Sequence, residues 1–371
     1  MPELRSCRPD ELDEVLQLVN LVFRTSQGRP ASIAADYPQI YTATNLDNII
    51  TVRESGRIRA CVATSPMRVA CGDLTLETLG VNCTTTHPEW RRRGLGELMI
   101  REIAGRATER GCDLVHLDAG VPEWYRDLEY EYGGRSNHYT IHRGNADLLP
   151  PLEPGVDVAM GNGDDAMAAA HRLHAAERLG TVRTLDESTV AYARSGGHVV
   201  TAVRNGEVGA YVYLREADQA VIEHGGRSEE VAAVMRHLFE QAEVASRDLS
   251  RTARADDSHP DRRPLLTVEV SPLSALDALL AGCALPVSQS YWHMFYLPNV
   301  AQTVAKLDAS VVVESAGPAE FTLRRGAEIT RYHRRQLVQL LFGPEARGSV
   351  AGGVVPAGAP VPLFTPYTDH V

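Results

Sequence analysis

The chain has 371 residues, 44% of them apolar and 23% charged, and a formal net charge of −11. That length exceeds one small core and predicts two or three domains. The acidic balance argues against a general nucleic-acid binder, which carries a basic face, and the longest apolar run, LLAGCALPV, is far too short to span a bilayer.

The N-terminal stretch MPELRSCRPDELDEV is charged and has no apolar signal core, so the expected location is the cytoplasm. Cys7, Cys61, Cys71, Cys83, Cys112 and Cys283 form no C-x-x-C pair and no zinc-like grouping. They read as small buried hydrophobes in a reducing compartment, and no metal is expected. Nearly all the positive charge is arginine, and Lys306 is the only lysine. A GC-rich genome explains that more simply than phosphate recognition does.

In chain order, DELDEVLQLVNLVFR places Leu12, Val15, Leu16, Val19 and Phe23 on one helical face. A looser segment around Asp36 and Tyr37 follows, as part of an expected mobile acceptor wall. NIITVRESGRIRACVA reads as two strands about a turn at Glu54-Ser55-Gly56. RVACGDLTLETLGVNCTTT adds a turn at Gly72-Asp73 and a long strand ending near Thr86. A helix then runs to about Arg110 and stops at Gly111. DLVHLDA is a short strand, and VPEWYRDLEY opens another helix. This is a mixed α/β layer about a central sheet.

VTAVRNGEVGAYVYL, from residue 200, echoes ITVRESGRIRACVAT, from residue 50. The echo continues through the strand QAVIEHGG and the helix EEVAAVMRHLFEQA, so the second third reads as a second copy of the first. SRDLSRTARADDSHPDRRP is a surface loop or linker. From about Asn299 a smaller unit begins, with helices at VAQTVAKL and HRRQLVQLLFG and strands at SVVVES and EFTLRR. A Pro/Gly-rich extended tail closes the chain. The expected domains are 1–147, 148–297 and 298–371. His171 and His174, in HRLHAAERL, lack a third ligand at metal spacing and read as structural or solvent-facing.

The stretch THPEWRRRGLGELMI carries the chemistry. The first amides of a helix have no internal acceptor and bear positive partial charge, which makes an anion site. Gly94 and Gly96 let backbone approach a phosphate closely, and Arg91, Arg92 and Arg93 add charge and forked donors. The spacing is neither a P-loop nor a dinucleotide fingerprint. An ordinary basic helix start is the bland alternative.

The pattern of Thr86, Pro88, Arg91, Gly94 and Gly96 resembles that of the GNAT superfamily of acyl-CoA-dependent N-acyltransferases. The resemblance implies that this turn, with Leu95 and Glu97, holds the coenzyme A pyrophosphate. It also implies that the strand holding Asn82, Cys83, Thr84, Thr85 and Thr86 pairs with the pantetheine arm, with acetyl-CoA as the acyl donor. PEWYRDLEYEYGG resembles the family segment whose tyrosine protonates the departing thiolate. That assigns Tyr125 as acid, with Tyr130 second and Tyr132 a packing residue. Many relatives have a glycine where this chain has Glu129. The base is open between Glu77, Asp118 and the chain's terminal carboxylate. Cys83 as a ping-pong nucleophile is a minor alternative to direct attack by the amine.

The layout as a whole resembles the enhanced intracellular survival (Eis) family. It comprises a GNAT domain, a degenerate second one with GGRSEEV in place of RRRGLGE, and a small sterol-carrier-protein-like α+β domain. That resemblance implies the Val371 carboxylate as base, a homo-oligomer, and a small, cationic primary-amine acceptor such as an aminoglycoside, a polyamine or a lysine side chain. Neither a nucleic acid nor a membrane is an expected partner. A non-catalytic acyl-CoA-binding regulator and an enzyme using another acyl donor are the rivals.

Overall fold

The computed structural model describes residues 2–252, 265–291, 293–343, 353–361 and 363–364. The first third contains β1 (Glu3–Ser6), α1 (Leu12–Phe23), α2 (Ile33–Asp36), β2 (Ile49–Glu54), β3 (Arg57–Cys71), β4 (Leu74–Thr86), α3 (Leu95–Glu109), β5 (Leu114–Leu117), α4 (Pro122–Arg126) and β6 (Glu131–Gly133). Then come β7 (Ser136–Ile141), β8 (Val156–Gly161), α5 (Asp164–Glu177), β9 (Leu179–Thr181), α6 (Leu185–Ser195), β10 (Gly197–Arg204), β11 (Glu207–Arg215) and β12 (Ala220–Gly226). After these follow α7 (Ser228–Thr252), β13 (Leu266–Val270), α8 (Ala275–Gly282), β14 (Val287–Ser290) and β15 (His293–Tyr296). The last unit has α9 (Val300–Leu307), β16 (Val312–Ser315), β17 (Glu320–Arg325), β18 (Glu328–His333) and α10 (Arg334–Phe342).

The first sheet has the order β1-β2-β3-β4-β5-β15-β6, with β9 paired to β3. Ser55 and Gly56 both take positive φ between β2 and β3, and Asn205 and Gly206 do the same between β10 and β11. Two positive φ values in a two-residue loop match the right-handed strand twist, which is why both hairpins close there. On one face of the sheet, Val15, Val19, Ile33 and Ile40 of the α1–α2 region pack on Ile49, Cys61 and Ala63. On the other, Met99, Ile100 and Ile103 of α3 pack on Leu79, Val81 and Val115. The alternation of β4 feeds both faces at once.

The second sheet has the order β14-β7-β13-β12-β11-β10-β8 and repeats the plan of the first. The two sheets trade strands. β7 precedes residue 147 yet lies in the second sheet, between β14 and β13, whereas β15 precedes residue 297 yet lies in the first, between β5 and β6. The boundaries at 147 and 297 are therefore not sheet boundaries. The third unit is a three-stranded sheet, β16-β17-β18, under α9 and α10. It docks through Lys306, whose Nζ lies 2.5 Å from Oδ2 of the fully buried Asp113 at the head of β5.

Candidate active site

β4 and β5 run parallel but pair only over Thr78–Leu114, Leu79–Val115 and Gly80–His116. β4 then continues to Thr86 while β5 ends at Leu117. The register of β4 on β3 shifts after Ala63↔Asn82 and resumes at Cys61↔Thr85, so Cys83 and Thr84 form a bulge. Cys83 takes φ 48°, a left-handed value uncommon outside glycine. A bulge bends its strand and raises local twist. The two strands therefore open a wedge at their C-terminal ends, with unpaired β4 backbone along one wall.

At the mouth of this wedge the chain turns through His87–Gly94 into α3. Gly94 is the N-cap at φ 76°, and nothing lies within 4 Å of where its Cβ would stand. Arg91, Arg92, Arg93 and Gly94 are exposed. Trp90 braces the turn, with the guanidinium of Arg59 4.5 Å and that of Arg93 4.3 Å from its ring centre. The amides that open α3 have no acceptor within the helix. Glycine, exposed arginines and free helix amides fit the pyrophosphate of coenzyme A. Leu95 is buried in the core and Glu97 pairs with Arg101 at 2.8 Å on the outer face, so at both positions the backbone alone faces the turn.

Gly96 serves a second purpose. A Cβ there would stand 3.3 Å from the indole of Trp124, so glycine lets α4 lie against the start of α3. Trp124 in turn meets Tyr125 edge-to-face, with ring centroids 4.7 Å apart. Tyr125 is buried, and its hydroxyl lies 3.5 Å from Thr84 Oγ1 on the bulge. Burial pushes its pKa above the ordinary tyrosine value, the hydrogen-bonding contact with Thr84 opposes this, and the charge of Asp118 adds to the rise. Tyr130 is fully buried behind Tyr125, and its hydroxyl has no hydrogen-bond partner among the described residues. Tyr132 stacks on Tyr291 at 5.5 Å.

Cys83 faces the other way. It packs in the α1–α2 cluster, where burial pushes its thiol up to about 11 against the opposing influence of Tyr41 and Arg24. Thr85 is buried and bonds the Cys83 carbonyl at 2.6 Å. Thr86 pairs with Ala60 at the strand's end. The Asp36 segment is tied down, because Asp36 Oδ2 accepts from Arg24 at 2.5 and 3.0 Å and from Ser32 at 2.8 Å. Of the base candidates, Asp118 is exposed at the end of β5, whereas Glu77 pairs with Arg68 at 3.3 Å at the opposite end of β4. Val371 lies outside the described residues.

His116, the buried residue before Leu117 and Asp118, becomes visible only in the structure. Burial lowers its pKa to about 4, so it is neutral at pH 7, and its ring lies 5.5 Å from that of His293 on β15. Its one mark in the sequence is a histidine inside the apolar run DLVHLDA. An interdomain cleft of about 960 Å³ likewise becomes visible only in the structure. It runs from Glu77 and Arg110 past Ser65 and Gln39 to Val190 and Arg194 on α6. Arg194 reaches across it to the ring of Tyr37, 5.6 Å away.

In the second domain β12 and β13 pair in parallel over only two positions, Ala220–Thr267 and Val221–Val268. There β12 ends at Gly226 and α7 starts at Ser228, so the single residue Arg227 replaces the eight residues His87–Gly94. No turn remains to cradle a diphosphate. Glu223 of β12 is buried and receives Arg183 at 2.8 Å, Tyr211 at 2.7 Å and Tyr192. His174 stands 3.6 Å from the same carboxylate and bonds the Thr181 carbonyl, and His171 meets Ser188 at 2.9 Å. Both histidines are thus structural. Among the described residues no three or more His, Cys, Asp or Glu side chains gather as a metal site, and no helix is long and apolar enough to cross a membrane.

Residues 3–133 match the family model described as an acetyltransferase (GNAT) domain. They form a GNAT acetyltransferase domain. Its wedge, bulge and glycine turn are those just described, and the match gives this part of the chain an acetyltransferase fold. No curated protein matches the chain. Among solved structures, a GCN5-related N-acetyltransferase from Kribbella flavida shares the fold at TM-score 0.65 and 18% identity, covering 100% of this chain and 98% of that one. A probable N-acyltransferase from Enterococcus faecalis V583 matches at TM-score 0.65 and 13% identity, over 92% and 89% of the two chains. Eis1 from Mycobacterium abscessus matches at TM-score 0.63 and 15% identity, over 98% and 97%. The Eis-like layout of two GNAT folds followed by a third unit is therefore shared along the whole chain.

Proposed function

We propose that the first GNAT domain acetylates the primary amine of a small molecule by direct attack, with acetyl-CoA as donor and a single working site per chain. The observation that carries this reading is the conjunction of the β4–β5 wedge with the Gly94 turn, present in the first domain and deleted from the second. Acetyl-CoA supplies an acetyl group activated as a thioester. The amides opening α3, with Arg91, Arg92 and Arg93, hold its diphosphate. The free β4 backbone from Cys83 to Thr86 accepts and donates hydrogen bonds along the pantetheine arm as another strand would. Thr84 orients the Tyr125 hydroxyl, whose raised pKa keeps it protonated at neutral pH and ready to donate to the departing sulfur. Asp118, exposed beside the wedge and near Tyr125, takes the proton from the amine, directly or through water.

A second source for the base is the tail. Leu363 is anchored by its carbonyl to the Arg135 amide at 3.1 Å, beside β6 of the first sheet. The seven residues from 365 to 371 can span at most roughly 23–25 Å when extended, which bounds how far from Leu363 the Val371 carboxylate could act. Substituting Asp118 by Asn and ending the chain after Phe364 separate the two sources.

The interdomain cleft lies at the other end of β4 and shares no lining residue with the wedge, so it bears on the acceptor only as an outer surface. Its wall bears Arg68, Arg110, Arg183 and Arg194 against Glu77, Asp186 and Glu187, so it does not favour a polycation over a singly charged amine. The test is thiol release from acetyl-CoA with aminoglycosides, polyamines, lysine peptides and amino sugars bearing an anionic group. Release with one class supports the transferase and names its acceptor. Binding of acetyl-CoA without release to any amine favours a non-catalytic regulator, and release only with another acyl-CoA changes the donor.

A further inference from the structure

Glu129 stands in a backbone conformation that its side chain disfavours. Its φ is 70°, a left-handed value that glycine adopts freely and other L residues resist. The conformation closes the turn after α4. The amides of Leu128 and Tyr130 both donate to the Tyr125 carbonyl, at 3.0 and 3.1 Å, and the Glu129 amide donates to Arg126 at 3.1 Å. The left-handed residue is thus what folds the chain back onto Tyr125.

One side chain of the third unit meets the Glu129 carboxylate. His333 Nε2 lies 3.0 Å from Oε2, without an aligned hydrogen bond. His333 is itself fixed as the N-cap of α10: its amide donates to Gln336 at 2.8 Å and its Nδ1 accepts from the Arg335 amide at 3.3 Å. Arg334 follows it, bonded to the Leu297 and Pro318 carbonyls and lying over the rings of Tyr296 and Phe321. Burial lowers the Arg334 pKa, and the charges of Tyr296 and Glu129 oppose that fall.

We propose that Glu129 and His333 form a clamp by which the third unit holds the α4 turn, and with it the Tyr125 hydroxyl, in place. Both are positioning residues. With glycine at 129 the turn would keep its shape unaided. With glutamate its shape is conditional on the third unit being seated, so the acid is assembled only in the docked chain. The catalytic half of this inference rests on Tyr125 being the acid, and the conformational half does not.

The experiment compares E129A, E129G, H333A and the double variant E129G/H333A in the full chain. Two quantities are read: amide hydrogen exchange at Tyr130, and kcat with KM for acetyl-CoA, each corrected for the folded fraction from thermal melts. E129A and H333A are expected to speed Tyr130 exchange by about fivefold to thirtyfold, the left-handed penalty expressed as an equilibrium factor, and to lower kcat with KM little changed. E129G is expected to keep wild-type exchange and kcat, and H333A to add nothing in that background. Alanine and glycine behaving alike at 129, or H333A acting equally in both backgrounds, would overturn the clamp. Unchanged turnover in Tyr125→Phe would remove the acid role instead, and the exchange data would still decide the clamp.

Discussion

Replacing Gly94 by alanine tests the diphosphate turn at its most constrained point. The residue caps α3 at φ 76° and ψ 2°. Nothing lies within 4 Å of the position a Cβ would take, so the effect is conformational and not steric. A left-handed alanine costs about 1–2 kcal/mol, which is roughly a fivefold to thirtyfold change in an equilibrium. That penalty divides between two measurable quantities. If the free variant keeps the turn, stability falls by the full amount and coenzyme A affinity is unchanged. If the free variant relaxes, stability recovers and affinity falls by the corresponding factor. Urea denaturation and calorimetric titration with coenzyme A measure both, and their sum is the prediction. Gly105 supplies the control, because it is exposed in the interior of the same helix with no positive φ and open space around its Cβ. Alanine there raises stability by about 0.5–1 kcal/mol and leaves coenzyme A binding alone. A summed effect for Gly94→Ala below about 0.5 kcal/mol, or equal loss of binding in Gly105→Ala, refutes the argument.

Tyr125→Phe lowers kcat by about 100-fold or more while the Kd for acetyl-CoA stays within twofold, as stopped-flow turnover and titration would show. Because burial holds the Tyr125 pKa above the ordinary value of 10, the phenol loses its proton only in strongly alkaline solution. The alkaline fall of kcat then lies above pH 10, and a fall between pH 7 and 9 with chemistry rate-limiting contradicts the assignment. Cys83→Ala keeps turnover within about threefold and gives sequential rather than ping-pong kinetics, since that thiol is protonated at neutral pH and packed against α1. Glu11 is held by Arg5 and Arg53, each at 2.6 Å, and its pKa falls from 4.5 to about 2, chiefly through the Arg5 hydrogen bond. A folded-state pKa below the unfolded one contributes stability that is present above pH 4.5 and lost as pH falls toward 2. The gap is worth up to roughly 3 kcal/mol. Glu11→Gln removes that part of the acid dependence, measured as urea midpoints between pH 2 and 7.

Local chemistry made much of this legible in the sequence. Glycine turns between apolar strands announced the hairpins at Ser55-Gly56 and Asn205-Gly206, and glycine with arginine before an amphipathic run announced the α3 turn. The left-handed conformation at Glu129 was not legible, since glutamate gives no local signal for a positive φ. Non-local pairing was not legible. Nothing in HMFY says that it inserts between β5 and β6, because strand order depends on partners far away in sequence. The bulge hid the direction of Cys83, since one extra residue breaks the period of two on which any inward or outward assignment rests. β18, EITRYH, has little apolar character and is stabilised by pairing with β17 along its whole length. α6 was missed although Thr184 and Glu187 form a capping box before it.

Calorimetric titration of the full chain with acetyl-CoA tests the account most directly, because it needs no knowledge of the acceptor. The account predicts one equivalent bound per chain, with binding weakened in Arg91→Ala and unaffected by substitution of Arg227 in the second domain. Two equivalents would contradict the loss of the second site, and no binding would contradict the first.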